Sequence, residues 1–361
     1  MSTEKKNKRN FFPLRVGIVG SGLIAIKKHI PAIIKLKRKA KLMAICDKNL
    51  EIAKDTAKKF GIRNVYSSVE EMLEHEDLDL VDICTPPFTH AKVAIVAMEN
   101  GCHIIVEKPM AITVEECDEI IEVSKKNETK VCIAHSGLFY PPFIKARKLV
   151  SEGVIGDFKG MRIFLCTPTD YMTSHEDHWA NKLTGGVIGE TGPHVIYMTL
   201  AFINPIQEIK SYALKQLPYP WSPYEDYKIE LIGKNAASTI TTIYSTNQWA
   251  AHVDIWGTEG LLKLDLELMN LNIHRRKNLN RFNVGISGLS ESLRLGINVA
   301  KAGTKVLLRR YKNTHDLLIE GFLDSIIKNR PLPVPAEEGR EVVRVMKLIV
   351  DNLEKEKEQK V

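Results

Sequence analysis

The strongest constraint on the fold is a regular alternation of short apolar strands and amphipathic helices across residues 14–134. Apolar strands of this kind are buried on both faces, and the helices between them form the crossovers of a parallel sheet. The pattern predicts strands at 14–19, 41–46, 80–84, 103–106 and 131–134. Parallel sheets bind ligands at the carboxyl ends of their strands, so the residues after each strand are candidate site residues.

A glycine-rich turn follows the first strand and opens the first helix. Its first glycine permits a tight turn and its second lets a pyrophosphate approach the backbone, which the N–H groups of the helix then bind. Asp47 closes the second strand, where a carboxylate accepts hydrogen bonds from the adenosine ribose. The predicted dinucleotide site comprises Gly20, Ser21, Gly22, Leu23, Ile24, Asp47 and Lys48. The carboxylate would repel a 2′-phosphate and favours NAD as the cofactor, whereas Lys48 leaves NADP open.

Two further motifs follow later strands, Thr85-Pro86-Pro87 with His90 and Glu107-Lys108-Pro109. With the glycine turn, they make nearly the whole chain resemble the Gfo/Idh/MocA family, named for glucose-fructose oxidoreductase, inositol 2-dehydrogenase and a rhizopine catabolism protein. The resemblance implies that Thr85, Pro86, His90, Glu107 and Lys108 complete the cofactor site. It also implies that Lys108 reaches the reacting oxygen, whose charge an ammonium stabilises. Packing or capping of its own helix is the alternative role of His90.

After residue 137 the alternation weakens. Strands are predicted at 158–165, 228–233, 237–244, 253–255 and 261–264, and the scarcity of helices between them favours antiparallel pairing. The predicted fold class is α/β, with a doubly wound parallel Rossmann sheet followed by an α+β domain with an open, largely antiparallel sheet. The predicted domains are a basic flexible tail (1–12), a dinucleotide-binding domain (13–137), a substrate and oligomerisation domain (138–335) and a C-terminal helix returning toward the first domain (336–361).

The acid–base chemistry is expected in the glycine-rich segment 185–194. Glu190 and His194 are four residues apart, so a helix would place them on one face, and imidazole titrates near neutral pH. The resemblance implies that His194 removes a hydroxyl proton opposite Lys108, with Glu190 assisting. The family usually has aspartate at Glu190, and catalysis is sensitive to shifts of about 1 Å, so a helix-terminal carboxylate is the alternative. Pro193 predicts that this helix starts late or bends.

Four aromatic or imidazole side chains are candidate substrate-binding residues, because aromatic faces stack on sugar C–H groups while imidazoles hydrogen-bond hydroxyls. They are His135, Tyr171, His178 and Trp179, and loop packing is the equal alternative. The predicted function is reversible oxidation of a secondary alcohol on a sugar, cyclitol or nucleotide-sugar, with NAD(H) or NADP(H), NAD preferred, and no metal. Two alternative functions remain. In one, the enzyme holds NAD tightly and oxidises its substrate only transiently, to allow elimination or glycoside cleavage. In the other, the protein is a non-enzymatic regulator that senses a ligand.

The remaining expectations concern partners and location. The sequence has no run of about 18 apolar residues and no apolar signal-peptide core, so a cytoplasmic protein without a membrane span is expected. The net charge is +7, but no aromatic residues interleave the charges, which argues against nucleic acid. Residues 292–311 predict a basic amphipathic helix that packs on its own domain or an oligomer partner, with an anionic membrane surface as the alternative. The resemblance implies a homo-oligomer, a dimer or a tetramer, and the expected partner is a small polyhydroxylated substrate.

Overall fold

The computed structural model describes residues 13–275, 280–307 and 312–358, and the predicted tail lies outside this part of the chain. The described residues form two compact units. The first comprises 13–136 and 313–344, and the second comprises 137–312, apart from its undescribed positions, and 345–358.

The first unit is built on a six-stranded sheet with the strand order β3-β2-β1-β4-β5-β6, in which every pair of neighbours is parallel. Its strands are β1 (Leu14–Val19), β2 (Ala40–Cys46), β3 (Asn64–Tyr66), β4 (Leu80–Ile83), β5 (His103–Val106) and β6 (Val131–Ile133). This confirms the predicted doubly wound Rossmann sheet. Strand β3 was not predicted, because three half-buried residues carry no periodic pattern.

The helices of this unit begin and end where the sequence indicates. They are α1 (Ile30–Lys35), α2 (Leu50–Phe60), α3 (Val69–His75), α4 (His90–Glu99) and α5 (Val114–Lys126). Ser68 and Thr113 cap α3 and α5, each accepting a hydrogen bond from the N–H group three residues later. Helix α2 ends at Gly61, whose φ of +69° an L side chain rarely adopts.

A π-helical segment, Ala25–His29, precedes α1, whose second residue is Pro31. Proline cannot donate to the carbonyl of Lys27 four residues earlier, and its ring crowds that carbonyl. A wider turn before the proline relieves both problems. His29 ends this segment and is fully buried.

The second unit is built on a seven-stranded sheet with the order β13-β12-β11-β7-β10-β9-β8. Its strands are β7 (Phe158–Cys166), β8 (Glu208–Leu214), β9 (Asp226–Ile232), β10 (Ala237–Ile243), β11 (Ala250–Gly257), β12 (Leu261–Asp265) and β13 (Asn270–His274). Only β7 and β10 are parallel neighbours, which confirms the predicted, largely antiparallel sheet. Strands β8 and β13 were not predicted. The helices of this unit are α6 (Pro141–Ser151), α7 (Val187–Leu200) and α8 (Arg281–Leu307).

The C-terminal part of the chain is divided between the two units at a different point from the one predicted. Helix α9 (Thr314–Ile327) was expected in the second domain, yet it packs on α1 and the π-helical segment. Lys35 Nζ lies 2.8 Å from a carboxylate oxygen of Asp316, and Lys39 pairs with Glu320. These contacts assign residues 313–335 to the first unit. Helix α10 (Ala336–Glu358) starts in the first unit, and its residues after 344 belong to the second.

Helix α8 starts eleven residues before the helix predicted at 292–311, and the last four of those predicted residues lie outside the described part of the chain. Throughout 13–275, 280–307 and 312–358, no helix has both the length and the apolar character needed to cross a membrane.

Candidate active site

The glycine turn of the first unit lies where the strand order reverses, between β1 and β4. Gly20 has a φ of +101°, and a Cβ atom there would come within 2.9 Å of backbone atoms of Cys84 and Thr85. Only glycine therefore fits this position. A Cβ atom on Gly22 would meet nothing within 4 Å, so the backbone there has room for an incoming pyrophosphate.

Asp47 is joined to this turn by a hydrogen bond. The N–H group of Ser21 donates to Oδ2 of Asp47 over 2.7 Å, and the N–H group of Asn49 donates to Oδ1 over 2.9 Å. The structure therefore brings together the glycines and the carboxylate that the sequence predicts for the dinucleotide site. Lys48 and Leu23 are exposed beside them, and Ile24 packs against the core.

His90 ties together the loops that follow β4 and β5. Its Nε2 lies 2.8 Å from the carbonyl oxygen of Thr85, and its Nδ1 lies 2.8 Å from that of Pro109. Burial lowers the pKa of His90, so a neutral ring donates one hydrogen bond at a time. The ring is fully buried and joins the loops that carry Thr85, exposed Pro86 and half-buried Lys108. A place for His90 along the cofactor stays a prediction.

A second buried histidine, His29, contacts Glu107, the residue before Lys108. Its Nδ1 is 2.9 Å from both carboxylate oxygens of Asp82, and its Nε2 is 2.9 Å from Oε1 of Glu107. Burial lowers the pKa of His29, but the charges and hydrogen bonds of its neighbours, with Asp82 foremost, together outweigh burial and hold this pKa well above its ordinary value. The surroundings of His29 therefore favour an imidazolium between two carboxylates.

Glu107 completes this network. Burial raises its pKa, but the hydrogen bond from His29 and the nearby His315 outweigh burial and hold that pKa well below its ordinary value. Nε2 of His315 lies 3.6 Å from Oε1 of Glu107, while Oε2 accepts the N–H group of Lys108 over 3.1 Å. The carboxylate of Glu107 contacts His29 and the backbone of Lys108, and its predicted cofactor contact stays a prediction.

The same side chains offer ligand atoms close enough for a metal ion in two groupings, His29 with Asp82 and Cys84, and His29 with Glu107 and His315. Metal binding requires a deprotonated ring nitrogen. The raised pKa of His29 shows that its acidic neighbours favour the protonated ring. A metal ion at either grouping would therefore have to displace a proton from this ring.

In the second unit, a glycine turn opens α7. Gly185 and Gly186 both have positive φ angles, +83° and +69°, and a Cβ atom on Gly185 would lie 2.9 Å from side-chain atoms of Ile188 and Val350. Helix α7 begins at Val187 and continues through Pro193, so the late start predicted from this proline is wrong. The first turn of α7 contains Glu190, as a helix N-terminus favours.

His194 is oriented by a tyrosine that the sequence analysis missed. Oη of Tyr197 lies 2.6 Å from Nδ1 of His194 and accepts the N–H group of Gly137 over 2.9 Å. Tyr197 is buried, whereas His194 is half-buried. If Nδ1 donates to this oxygen, Nε2 is left without a proton and can act as a base. The three-residue spacing on one helix was the only sequence signal for this pair.

The amino-terminal end of α7 lies at the edge of the sheet where the parallel strands β7 and β10 end. Thr191 contacts Oη of Tyr244, which directly follows β10. The chain that follows β7 supplies the predicted substrate-binding residues. Burial lowers the pKa of His178, and the negative charge of Glu190 offsets part of this effect. The two side chains are therefore close enough to interact electrostatically.

Three aromatic side chains accompany them. His178 stacks on Trp179 with ring centroids 5.5 Å apart, and Tyr171 meets Trp249 edge to face at 5.2 Å. Trp249 was missed because it precedes β11 without any motif. His135 belongs to the first unit and is fully buried, and its role as a substrate contact stays a prediction.

This glycine turn on a doubly wound sheet, with an aspartate at the end of the next strand, defines an oxidoreductase with an NAD-binding Rossmann domain. The family model described as "Oxidoreductase family, NAD-binding Rossmann fold" matches residues 14–135. The model of the GFO/IDH/MocA C-terminal domain matches residues 143–263. The chain belongs to the Gfo/Idh/MocA family of oxidoreductases.

Named relatives and solved structures agree with this membership. The chain is 32% identical to the D-glucoside 3-dehydrogenase of Escherichia coli K12 over 40% of its own length and 41% of that enzyme. It is 28% identical to the levoglucosan dehydrogenase of Pseudarthrobacter phenanthrenivorans over 57% and 55%. The matches thus span about half the length of these two curated relatives.

Two solved structures share the fold along most of the chain. A levoglucosan dehydrogenase in complex with NADH and L-sorbose superposes with a TM-score of 0.79 at 20% identity, covering 95% of this chain and 97% of that one. The WlbA dehydrogenase from Bordetella pertussis, in complex with NADH and UDP-GlcNAcA, has a TM-score of 0.78 at 17% identity, covering 95% and 96%.

Proposed function

We propose that this oxidoreductase transfers a hydride reversibly between NAD and a secondary alcohol of a sugar or sugar derivative. The observation that carries the proposal is the setting of Lys108, which follows β5 beside the strand-order reversal. Two buried histidines, His29 and His90, hold its loop. An ammonium group positioned there stabilises the oxygen charge that develops as hydride leaves the neighbouring carbon.

NAD is proposed over NADP because of Asp47. Its carboxylate already orders the glycine turn through Ser21, and in that position it would accept hydrogen bonds from the ribose hydroxyls of adenosine. A 2′-phosphate would place negative charge beside it. Bound NAD would supply the hydride acceptor, while the chain's own residues bind it and handle the proton.

His194 is the proposed general base for the hydroxyl proton. A proton held between Nδ1 and the Tyr197 oxygen gives the tautomer whose Nε2 can accept the hydroxyl proton. General base catalysis of this kind typically contributes about 10²- to 10⁴-fold in rate. Glu190 lies in the same helix, within electrostatic reach of His178, and we assign it the polarisation of His194. Tyr171, His178 and Trp179 are the proposed sugar contacts.

The substrate class is proposed from two kinds of support. Two relatives are named for D-glucosides and levoglucosan, and the edge of the sheet beside α7 carries aromatic and imidazole side chains suited to a polyhydroxylated ring. A homo-oligomer, dimer or tetramer, stays a prediction that gel filtration with light scattering would test.

The test is NAD⁺ reduction by the purified protein with a panel of glucosides, anhydrosugars, cyclitols and nucleotide-sugars. We expect Lys108→Met and His194→Asn each to lower kcat/KM by about 10²-fold or more, with NADH binding retained in Lys108→Met. The matched controls are Lys92→Met and His75→Asn at exposed positions, which should retain activity. Activity equal to wild type in Lys108→Met would overturn the proposal.

A further inference from the structure

Helix α8 carries an exposed row of aliphatic side chains. Ile286, Leu289, Leu293 and Ile297 are 54%, 74%, 66% and 45% exposed. Their spacing of three and four residues places them on one face of the helix. At a rise of about 1.5 Å per residue the row is about 16 Å long. Cβ atoms built on Gly285 and Gly288 would meet nothing within 4 Å, so this stretch of helix has open space beside it.

The positive charge of the whole chain is concentrated around the same helix. Residues 275–312 contain ten Lys and Arg against a single acidic residue, Glu291. The remaining 323 residues contain 41 Lys and Arg against 43 Asp and Glu. The excess of +7 therefore comes from this one segment. Arg275, Arg281 and Lys312 are exposed.

An exposed aliphatic row within a strongly basic segment fits one kind of partner best. Aliphatic side chains insert at the boundary between headgroups and acyl chains, while Lys and Arg are attracted to anionic headgroups. A second copy of the chain is less favourable, because a two-fold contact would bring two identical basic segments together. Nucleic acid would satisfy the charge but would leave the aliphatic row uncovered.

We propose that α8 lies flat on an anionic membrane surface, with Ile286, Leu289, Leu293 and Ile297 in the interface and the exposed Arg275, Arg281 and Lys312 attracted to the headgroups. The helix associates peripherally with the surface and does not cross it. This contact is independent of the dehydrogenase chemistry. NADH binding and turnover can therefore be used to check that a variant is folded, whether or not it binds the membrane.

The test is sedimentation of the purified full-length protein with phosphatidylcholine vesicles, with and without phosphatidylserine. Binding is expected only with phosphatidylserine and should weaken as salt is raised. The double variant Leu289→Ser/Leu293→Ser should bind at least about tenfold more weakly for each leucine changed. The variant Arg281→Gln/Lys312→Gln should bind about fivefold more weakly for each charge removed.

The matched control is Ile144→Ser/Leu268→Ser, which alters two exposed aliphatic residues outside α8 and should bind vesicles like wild type. All variants should bind NADH like wild type. Two outcomes would overturn the proposal. One is no binding of wild type to anionic vesicles. The other is loss of an oligomer, seen by light scattering, in Leu289→Ser/Leu293→Ser with vesicle binding unchanged, which would make the row a contact between copies.

Discussion

Nε2 of His29 lies 2.9 Å from Oε1 of Glu107, the residue that directly precedes Lys108. The opposite nitrogen of the same ring is held by Asp82. A protonated imidazole therefore connects the helix after the glycine turn to the ends of β4 and β5, from which the cofactor loops extend. This connection makes the position of Lys108 depend on a buried charge.

Replacing His29 should cost much of the stability of the protein. His29→Leu leaves two buried carboxylates without their cation, and breaking a buried pair in this way costs about 3–5 kcal/mol. The measurement is the free energy of unfolding in urea. His75→Leu changes an exposed histidine of the same unit and should stay within about 0.5 kcal/mol of wild type. Equal effects of the two substitutions would show that the His29 network adds nothing to the free energy of unfolding.

Stability should also depend on pH in a direction that the pKa shifts fix. The folded-state pKa of His29 lies well above its ordinary value of 6.5, so its contribution is complete below pH 6.5 and is lost as pH rises from there toward the folded pKa. The folded-state pKa of Glu107 lies well below 4.5, so its contribution is present above pH 4.5 and is lost as pH falls toward the folded pKa. Both contributions are complete between pH 4.5 and pH 6.5. For each pH unit above 6.5, the contribution of His29 to the free energy of unfolding should fall by at most about 1.4 kcal/mol.

Nitrogen-15 chemical shifts of the His29 ring, assigned with the His29→Leu variant, give a direct check. We expect both ring nitrogens to carry hydrogen at pH 6.5, where an ordinary histidine is half protonated. A neutral ring at pH 6.5 would contradict the charge that we assign to this network.

Tyr197→Phe should affect proton transfer more than substrate binding. The change removes the oxygen that faces Nδ1 of His194, so the ring loses the partner that fixes its tautomer. We expect kcat to fall about tenfold or more, a part of the 10²- to 10⁴-fold that acid–base catalysis supplies, with little change in KM and a displaced acidic limb of the pH–rate profile. Tyr227→Phe removes another buried hydroxyl, bonded to Gly185 and Tyr224, and should leave the profile in place. An unchanged profile in Tyr197→Phe would remove Tyr197 from the mechanism.

Asp47→Ala should weaken NADH binding and relax cofactor choice. A hydrogen bond to a charged group contributes about 1.5–3 kcal/mol, which corresponds to about a 10- to 150-fold rise in the Kd for NADH. The affinity for NADPH should fall less or should rise, because the repulsion of its 2′-phosphate is removed. Calorimetric titration measures both, with Asp55→Ala on the exposed face of α2 as the control. Equal losses for the two cofactors would argue against a ribose contact.

The dinucleotide site was predictable because its signals are local. Gly20, Gly22 and Asp47 each have a fixed relation to the end of a strand, and the alternation of strands and helices places those ends at one edge of the sheet. The second sheet was predictable only in part, since β8 and β13 lack the strong apolar runs of the central strands.

The buried network could not be read from the sequence. His29 and His315 come from opposite ends of the chain, and each resembles an isolated core histidine when only its neighbours are considered. The same limit applies to Glu107, which belongs to a recognisable motif while its carboxylate is directed by a residue far away in sequence. Long-range charge pairing leaves no local periodicity.

The central claim is direct hydride transfer from a sugar carbon to NAD. The measurement is turnover of a ring-deuterated glucoside or anhydrosugar with NAD⁺, followed by mass spectrometry of the nicotinamide. The account predicts reduced cofactor that carries one deuterium, in an amount equal to the ketone formed, and formation of this product about 10²-fold or more slowly with Lys108→Met. Reduced cofactor without deuterium, or substrate conversion with no net reduction of NAD⁺, would contradict it.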